Sequence, residues 1–148
     1  MEKRAVLFVD DDEILLKTIE KSFTDEPYDK YFAMSGEDAL EILKRGEVHI
    51  IIVDLIMPGM GGIELLKIVK KEYPNIVSMV ISGYAQSADA MMALSELGVY
   101  RFIVKSWTLD EDVRRVIQQV IDHYNLQGEH EDMVEELKLC SDRTISAK

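Results

Sequence analysis

Five short apolar runs punctuate the chain, and longer stretches of helical periodicity lie between them. The runs are Ala5-Val6-Leu7-Phe8-Val9, the weaker Tyr31-Phe32-Ala33-Met34, Ile50-Ile51-Ile52-Val53, Val77-Ser78-Met79-Val80-Ile81 and Phe102-Ile103-Val104. The first, third and fourth are nearly continuous rather than alternating, as strands covered on both faces of a parallel sheet read. Between the runs, Leu15, Ile19 and Phe23 recur every fourth residue, and Ala39 and Leu43 do the same. Ile63, Leu66 and Val69 follow at a spacing of three, and Met91 and Leu94 continue the theme. Val113, Val116, Ile117, Val120, Ile121 and Tyr124 form the clearest stripe. Each pattern gives a helix one apolar face to lay on a sheet.

The punctuation agrees. Pro27, Pro58 and Pro74 all fall between periodic segments. Gly46, Gly98 and Gly128 sit just past helical patterns, where a left-handed C-cap is expected. Ser35 and Ser87 precede helical patterns as N-caps. The result is five βα units in a row, an α/β fold with an open, doubly wound parallel sheet and right-handed crossovers. Ligands of such sheets bind at the carboxyl ends of the strands, near the point where strand order reverses. After Gly128, Met133, Val134, Leu137 and Leu139 lie among Glu and Lys residues, as in a short packing helix or the start of a linker. The expected division is one domain over residues 1–125 and an extension over 126–148.

Composition narrows the function. The chain has 148 residues, enough for one domain with a proper core. Its 17 basic and 28 acidic residues give a formal charge of −11, which repels phosphate backbones and anionic lipid. Neither direct nucleic-acid binding nor a membrane surface is expected. The lone Cys140 excludes an internal disulfide, no apolar run reaches the roughly 18 residues of a membrane span, and the start lacks a signal-peptide pattern. A soluble, cytoplasmic protein is expected.

The strand ends carry the chemistry. The first strand ends in Asp10-Asp11-Asp12, the third in Asp54 and the fourth in Ser82, and Lys105 follows the fifth. Several carboxylates converging on one edge repel unless a cation offsets them, and a hard ion such as Mg²⁺ suits oxygen donors. A lysine adds a compact charge for an anionic oxygen, and a serine adds a hydroxyl donor. Carboxylate nucleophile, metal, ammonium and hydroxyl are the components of phosphoryl transfer. His49, His123 and His130 lack metal-ligand spacing and are expected at the surface, while Met91 and Met92 are expected as core filling.

Four ordered stretches carry a family resemblance: Val6-Leu7-Phe8-Val9-Asp10-Asp11, the run from Ile51 to Gly62, Val80-Ile81-Ser82-Gly83-Tyr84-Ala85, and Phe102-Ile103-Val104-Lys105. Over about residues 4 to 124 the sequence resembles the CheY-like receiver domain of bacterial two-component response regulators. The resemblance implies a flavodoxin-like sheet of order 2-1-3-4-5. It implies that Asp54 accepts a phosphoryl group from a sensor kinase's phosphohistidine, directly or through a phosphotransfer protein. Asp10 and Asp11 would hold Mg²⁺ together with Asp54 and the Ile56 backbone carbonyl. Ser82 would bond the acyl phosphate, Lys105 would pair with a phosphate oxygen, and Phe102 would turn inward when Ser82 moves. Homodimerisation through the helices that follow the fourth and fifth strands, and an output domain in a longer chain, are further implications.

Two positions depart from the family pattern. Ser106 stands where proline usually follows the lysine, and Gly61 stands where aspartate is common. A cis bond before a non-proline residue costs roughly 2.5–4 kcal/mol, so a rearranged loop is expected there, with Lys105 still reaching the site. The triplet leaves two registers for the metal pair, Asp10/Asp11 or Asp11/Asp12; the first fits the end of the apolar run at Val9 and leaves Asp12 to cap a helix. Asp10-x-Asp12 also resembles the opening motif of haloacid-dehalogenase-like phosphatases, with Asp10 as nucleophile, but that reading gives Asp54 no role. A receiver fold serving as an unphosphorylated adaptor is the other alternative.

Overall fold

The computed structural model describes residues 4–55, 57, 59–83, 95–105 and 109–127. Its strands are β1 (Ala5–Val9), β2 (Asp29–Ala33), β3 (Ile50–Asp54), β4 (Val77–Ser82) and β5 (Arg101–Val104). Its helices are α1 (Glu13–Ser22), α2 (Gly36–Arg45), α3 (Gly62–Glu72) and α4 (Leu109–Gln127). The strands form one parallel sheet in the order β2-β1-β3-β4-β5. This is the doubly wound, CheY-like order that the family resemblance implies.

Strand periodicity divides the core in two. Val6 and Phe8 of β1, with Ile50 and Ile52 of β3, face Leu16, Ile19 and Phe23 at α1 and the stripe from Val113 to Tyr124 on α4. Leu7, Val9, Ile51 and Val53 point the other way, toward Ala39 and Leu43 of α2 and Leu65, Leu66 and Val69 of α3. Every residue of β1, β3 and β4 is buried, because helices cover both faces. As an edge strand, β2 alternates exposed and half-buried positions from Asp29 to Phe32 before the buried Ala33, which explains its weaker apolar signal. Side chains lock α4 onto α1. Arg114 Nη2 donates to the Ser22 carbonyl at 3.0 Å and to Ser22 Oγ at 2.7 Å, and its guanidinium lies 4.8 Å from the Phe23 ring centre.

Helix ends follow the sequence in part. Ser35 caps α2 by accepting from the Asp38 N–H. Gly98 takes the expected left-handed φ of 65°. Gly46 does not: it is extended at φ −155°, ψ 171°, while its N–H still closes on the Ile42 carbonyl. The chain leaves α2 in an extended path into β3 four residues later and needs no reversal. The expectations for Ser87, Met91, Met92, Leu94, Gly128 and the segment after it lie outside the described residues.

The expectation for His49 is corrected. It is 5% exposed at the foot of β3, where the Tyr124 ring packs edge-on against it. Its Nδ1 accepts from the Ala5 N–H at 3.0 Å, and the Tyr124 hydroxyl donates to its carbonyl at 3.3 Å. The imidazole thus satisfies a backbone donor at the start of β1, which rewards its burial. His123 is half-buried, and His130 lies outside the described residues.

Candidate functional site

The sheet's order reverses around β1, so the carboxyl ends of β1 and β3 flank the switch point. Asp10 follows β1 directly, and its N–H donates to the Ala33 carbonyl at 3.1 Å, holding it against the end of β2. Asp10 Oδ1 accepts from the Asp12 N–H at 2.9 Å, and Asp12 in turn caps α1 by accepting from the Leu15 N–H at 3.1 Å. That cap starts α1 and turns the acidic triplet over the sheet edge. Asp54 ends β3 and is 4% exposed. Carboxylate oxygens of Asp10, Asp11 and Asp54 lie within 4.8 Å of one another, whereas Asp12 is committed to the helix cap.

Lys105 reaches this cluster. Its N–H donates to the Ser82 carbonyl at 2.8 Å, continuing the β4–β5 ladder past Val104. Its Nζ stands 2.9 Å from Asp10 Oδ2 and 3.3 Å from Asp54 Oδ2. The contact to Asp54 has hydrogen-bond geometry; the shorter one to Asp10 is a charge contact. Burial pushes the Asp10 carboxyl above its usual range, against the opposing pull of the Asp12 N–H and Lys105. Burial pulls the Lys105 ammonium down, but Asp10 and Asp54 outweigh it and hold the ammonium above its ordinary value.

Ser82 is buried at the end of β4. Phe102 pairs in register with Val80, is half-buried and packs against the core on the α2/α3 side. Ile56, whose carbonyl the resemblance assigns to the metal, and Ser106, in the lysine loop, lie outside the described residues.

Gly62 acts here in a way its place in the sequence motif does not reveal. Its N–H donates to the Leu55 carbonyl at 3.1 Å, and a Cβ on it would lie 2.2 Å from the Asp54 carbonyl oxygen. The start of α3 therefore rests directly on the backbone of Asp54. The paired Gly61-Gly62 is the only hint of this approach in the sequence. Gly61 is the N-cap of α3 and offers no side-chain acceptor, the structural consequence of lacking aspartate there.

The open α/β sheet thus brings three carboxylates and a lysine ammonium together at its switch point. The family model described as the response regulator receiver domain matches residues 6–118, so the chain belongs to the response regulator receiver domain family. It is a regulatory module of two-component signalling. The chain is similar to the hydrogenase transcriptional regulatory protein HoxA of Cupriavidus necator, at 35% identity over 86% of this chain and 26% of that protein. It therefore spans about a quarter of the length of that relative. In structure it is similar to the signal receiver domain of an HD domain-containing protein from Pseudomonas fluorescens Pf-5. That match has a TM-score of 0.79 and 25% identity, over 85% of this chain and all of that one. It is also similar to an adenylate cyclase structure from Rhodopirellula baltica, with a TM-score of 0.77 and 30% identity over 90% and 98% of the two chains.

Proposed function

We propose that the chain is a Mg²⁺-dependent phosphoacceptor in which Asp54 takes the phosphoryl group of a sensor kinase's phosphohistidine. The convergence of Asp54, Asp10, Asp11 and Lys105 carries this reading. Three carboxylates against one ammonium leave the cluster net negative, and an all-oxygen donor set suits a hard divalent ion. Asp10, Asp11, Asp54 and the Ile56 carbonyl would hold it. Mg²⁺ bound there supplies charge neutralisation to the transferring phosphoryl oxygens.

An Asp54 carboxylate oxygen attacks phosphorus in line. The O–P bond forms as the N–P bond breaks, and the imidazole leaves with the electron pair. Lys105 exchanges its carboxylate contacts for a phosphate oxygen, and the Ser82 hydroxyl donates to another. Phe102 follows Ser82 inward, and the altered packing is the signal. Attack of water on the same phosphorus restores the carboxylate, so the switch resets itself without being an enzyme for any other substrate.

Residues 1–125 are assigned to the receiver and 126–148 to a connecting extension; α4 runs past that boundary to Gln127. The partners are a histidine kinase or phosphotransfer protein, a second copy of the chain, and an output domain in a longer chain. Among the described residues no helix is long and apolar enough to cross a membrane, and a cytoplasmic setting is proposed from the kinase chemistry. Incubation with acetyl phosphate and Mg²⁺ tests the assignment. The wild-type chain and Asp10→Asn are compared with Asp54→Asn, which is expected to lose the covalent label. A label that persists in Asp54→Asn overturns it.

A further inference from the structure

Gly36 opens α2, yet its backbone does not require glycine, because the positive-φ glycines among the described residues are Gly59 and Gly98. Alanine would favour the helix there. What excludes a side chain is Met60: a Cβ on Gly36 would lie 2.6 Å from Met60 Sδ, 2.9 Å from Cγ and 3.0 Å from Cβ. The contact reaches the base of the methionine side chain, so it fixes more than a mobile tip. Met60 also packs against the core between the sheet and helices α2 and α3. Two residues later Gly62 rests on the Asp54 carbonyl and bonds the Leu55 carbonyl. A short path of contacts thus runs from α2 through Met60 and the start of α3 to the backbone of Asp54.

We infer that Met60, seated in the notch at Gly36, is a positioning residue for the Asp54 carboxylate. The inference rests on the phosphoacceptor reading and deepens it. Asp54 contributes an oxygen to the three-carboxylate cluster, and small displacements of one donor degrade both ion binding and in-line attack. Filling the notch drives Met60 outward, and truncating Met60 frees the start of α3. Each displaces Asp54 from the outside, with no loss of a group that touches ion or phosphate.

The test is a double-mutant cycle on the full chain, with Mg²⁺ affinity by titration calorimetry, labelling rate with acetyl phosphate, and thermal melting. Gly36→Ala and Met60→Ala are each expected to weaken Mg²⁺ binding about fivefold and slow labelling in proportion. Met60→Leu, which refills the notch, is expected to stay within about twofold of wild type. The Gly36→Ala/Met60→Ala double variant is expected to bind Mg²⁺ more tightly than Gly36→Ala alone, because the new methyl occupies the vacated space. Unchanged Mg²⁺ affinity in both single variants overturns the inference, as does strict additivity in the double variant. Affinity that falls only in step with melting temperature assigns Met60 to the core alone and overturns it too. If the wild-type chain binds no Mg²⁺, the phosphoacceptor reading fails and this inference with it. Binding by wild type with indifferent variants removes only the inference.

Discussion

Lys105 Nζ lies 2.9 Å from Asp10 Oδ2 and 3.3 Å from Asp54 Oδ2, so a single ammonium bridges the carboxylate just past β1 and the one that ends β3. This charge sits where a metal would compete for the same oxygens. Lys105→Met is expected to destabilise the metal-free chain by on the order of 1–3 kcal/mol, because the carboxylates lose their counter-charge. Mg²⁺ is then expected to restore more stability to the variant than it adds to wild type. Urea unfolding with and without Mg²⁺ measures both increments; equal increments contradict the competition.

The burial of Asp10 has a pH signature. Its carboxyl is held above the usual range chiefly by burial, so the charged form is less favoured in the folded chain than in the unfolded one. A carboxyl with a raised folded pKa contributes stability that is fully present below its unfolded pKa. That contribution is lost as pH rises through the folded value. At neutral pH the metal-free chain therefore bears a cost that Asp10→Asn removes. The variant is expected to be the more stable of the two at neutral pH, and the gap closes as pH falls below the ordinary carboxylate range. Unfolding curves in chelator across that range check the sign. A gap that widens on acidification contradicts the burial argument.

Gly62→Ala probes the support beneath Asp54. The added methyl cannot stay 2.2 Å from the Asp54 carbonyl oxygen, so β3 or α3 must shift. A loss of about 1–3 kcal/mol in urea unfolding is expected, with labelling slowed at least in proportion. Unchanged stability together with unchanged labelling contradicts the packing of α3 on Asp54.

Much of this was legible in the sequence, for identifiable reasons. β1, β3 and β4 announced themselves because burial on both faces demands continuous apolar runs. The α4 stripe did so because one helix face must be apolar from Val113 to Tyr124. Asp10, Asp54, Ser82 and Lys105 could be placed together because parallel topology brings every strand's carboxyl end to one edge. The sequence hid what depends on distant neighbours. His49 looks polar between Val48 and Ile50, and only the Ala5 N–H and the Tyr124 ring explain its burial. Gly46 looks like a left-handed cap until the direction of β3 is known. Gly36 and Gly62 do open helices, but nothing in the sequence shows Met60 and the Asp54 carbonyl set against them.

The proposed signal relay separates from the proposed chemistry. Ser82→Ala removes the hydroxyl but keeps the carboxylates and Lys105, so Asp54 labelling is expected to persist. Hydrogen exchange in β5, Arg101–Val104, is expected to respond to Mg²⁺ with beryllofluoride in wild type and not in Ser82→Ala. An equal response in both contradicts a relay through Ser82 and Phe102.

The central claim is that Asp54, and no other carboxylate of the cluster, receives the phosphoryl group. The most direct measurement treats the wild-type chain with acetyl phosphate and Mg²⁺, traps the acyl phosphate by borohydride reduction, and maps the modified residue by peptide mass spectrometry. Modification at Asp54 that disappears in the presence of a chelator is the result expected. Modification at Asp10, or labelling indifferent to the chelator, contradicts the account.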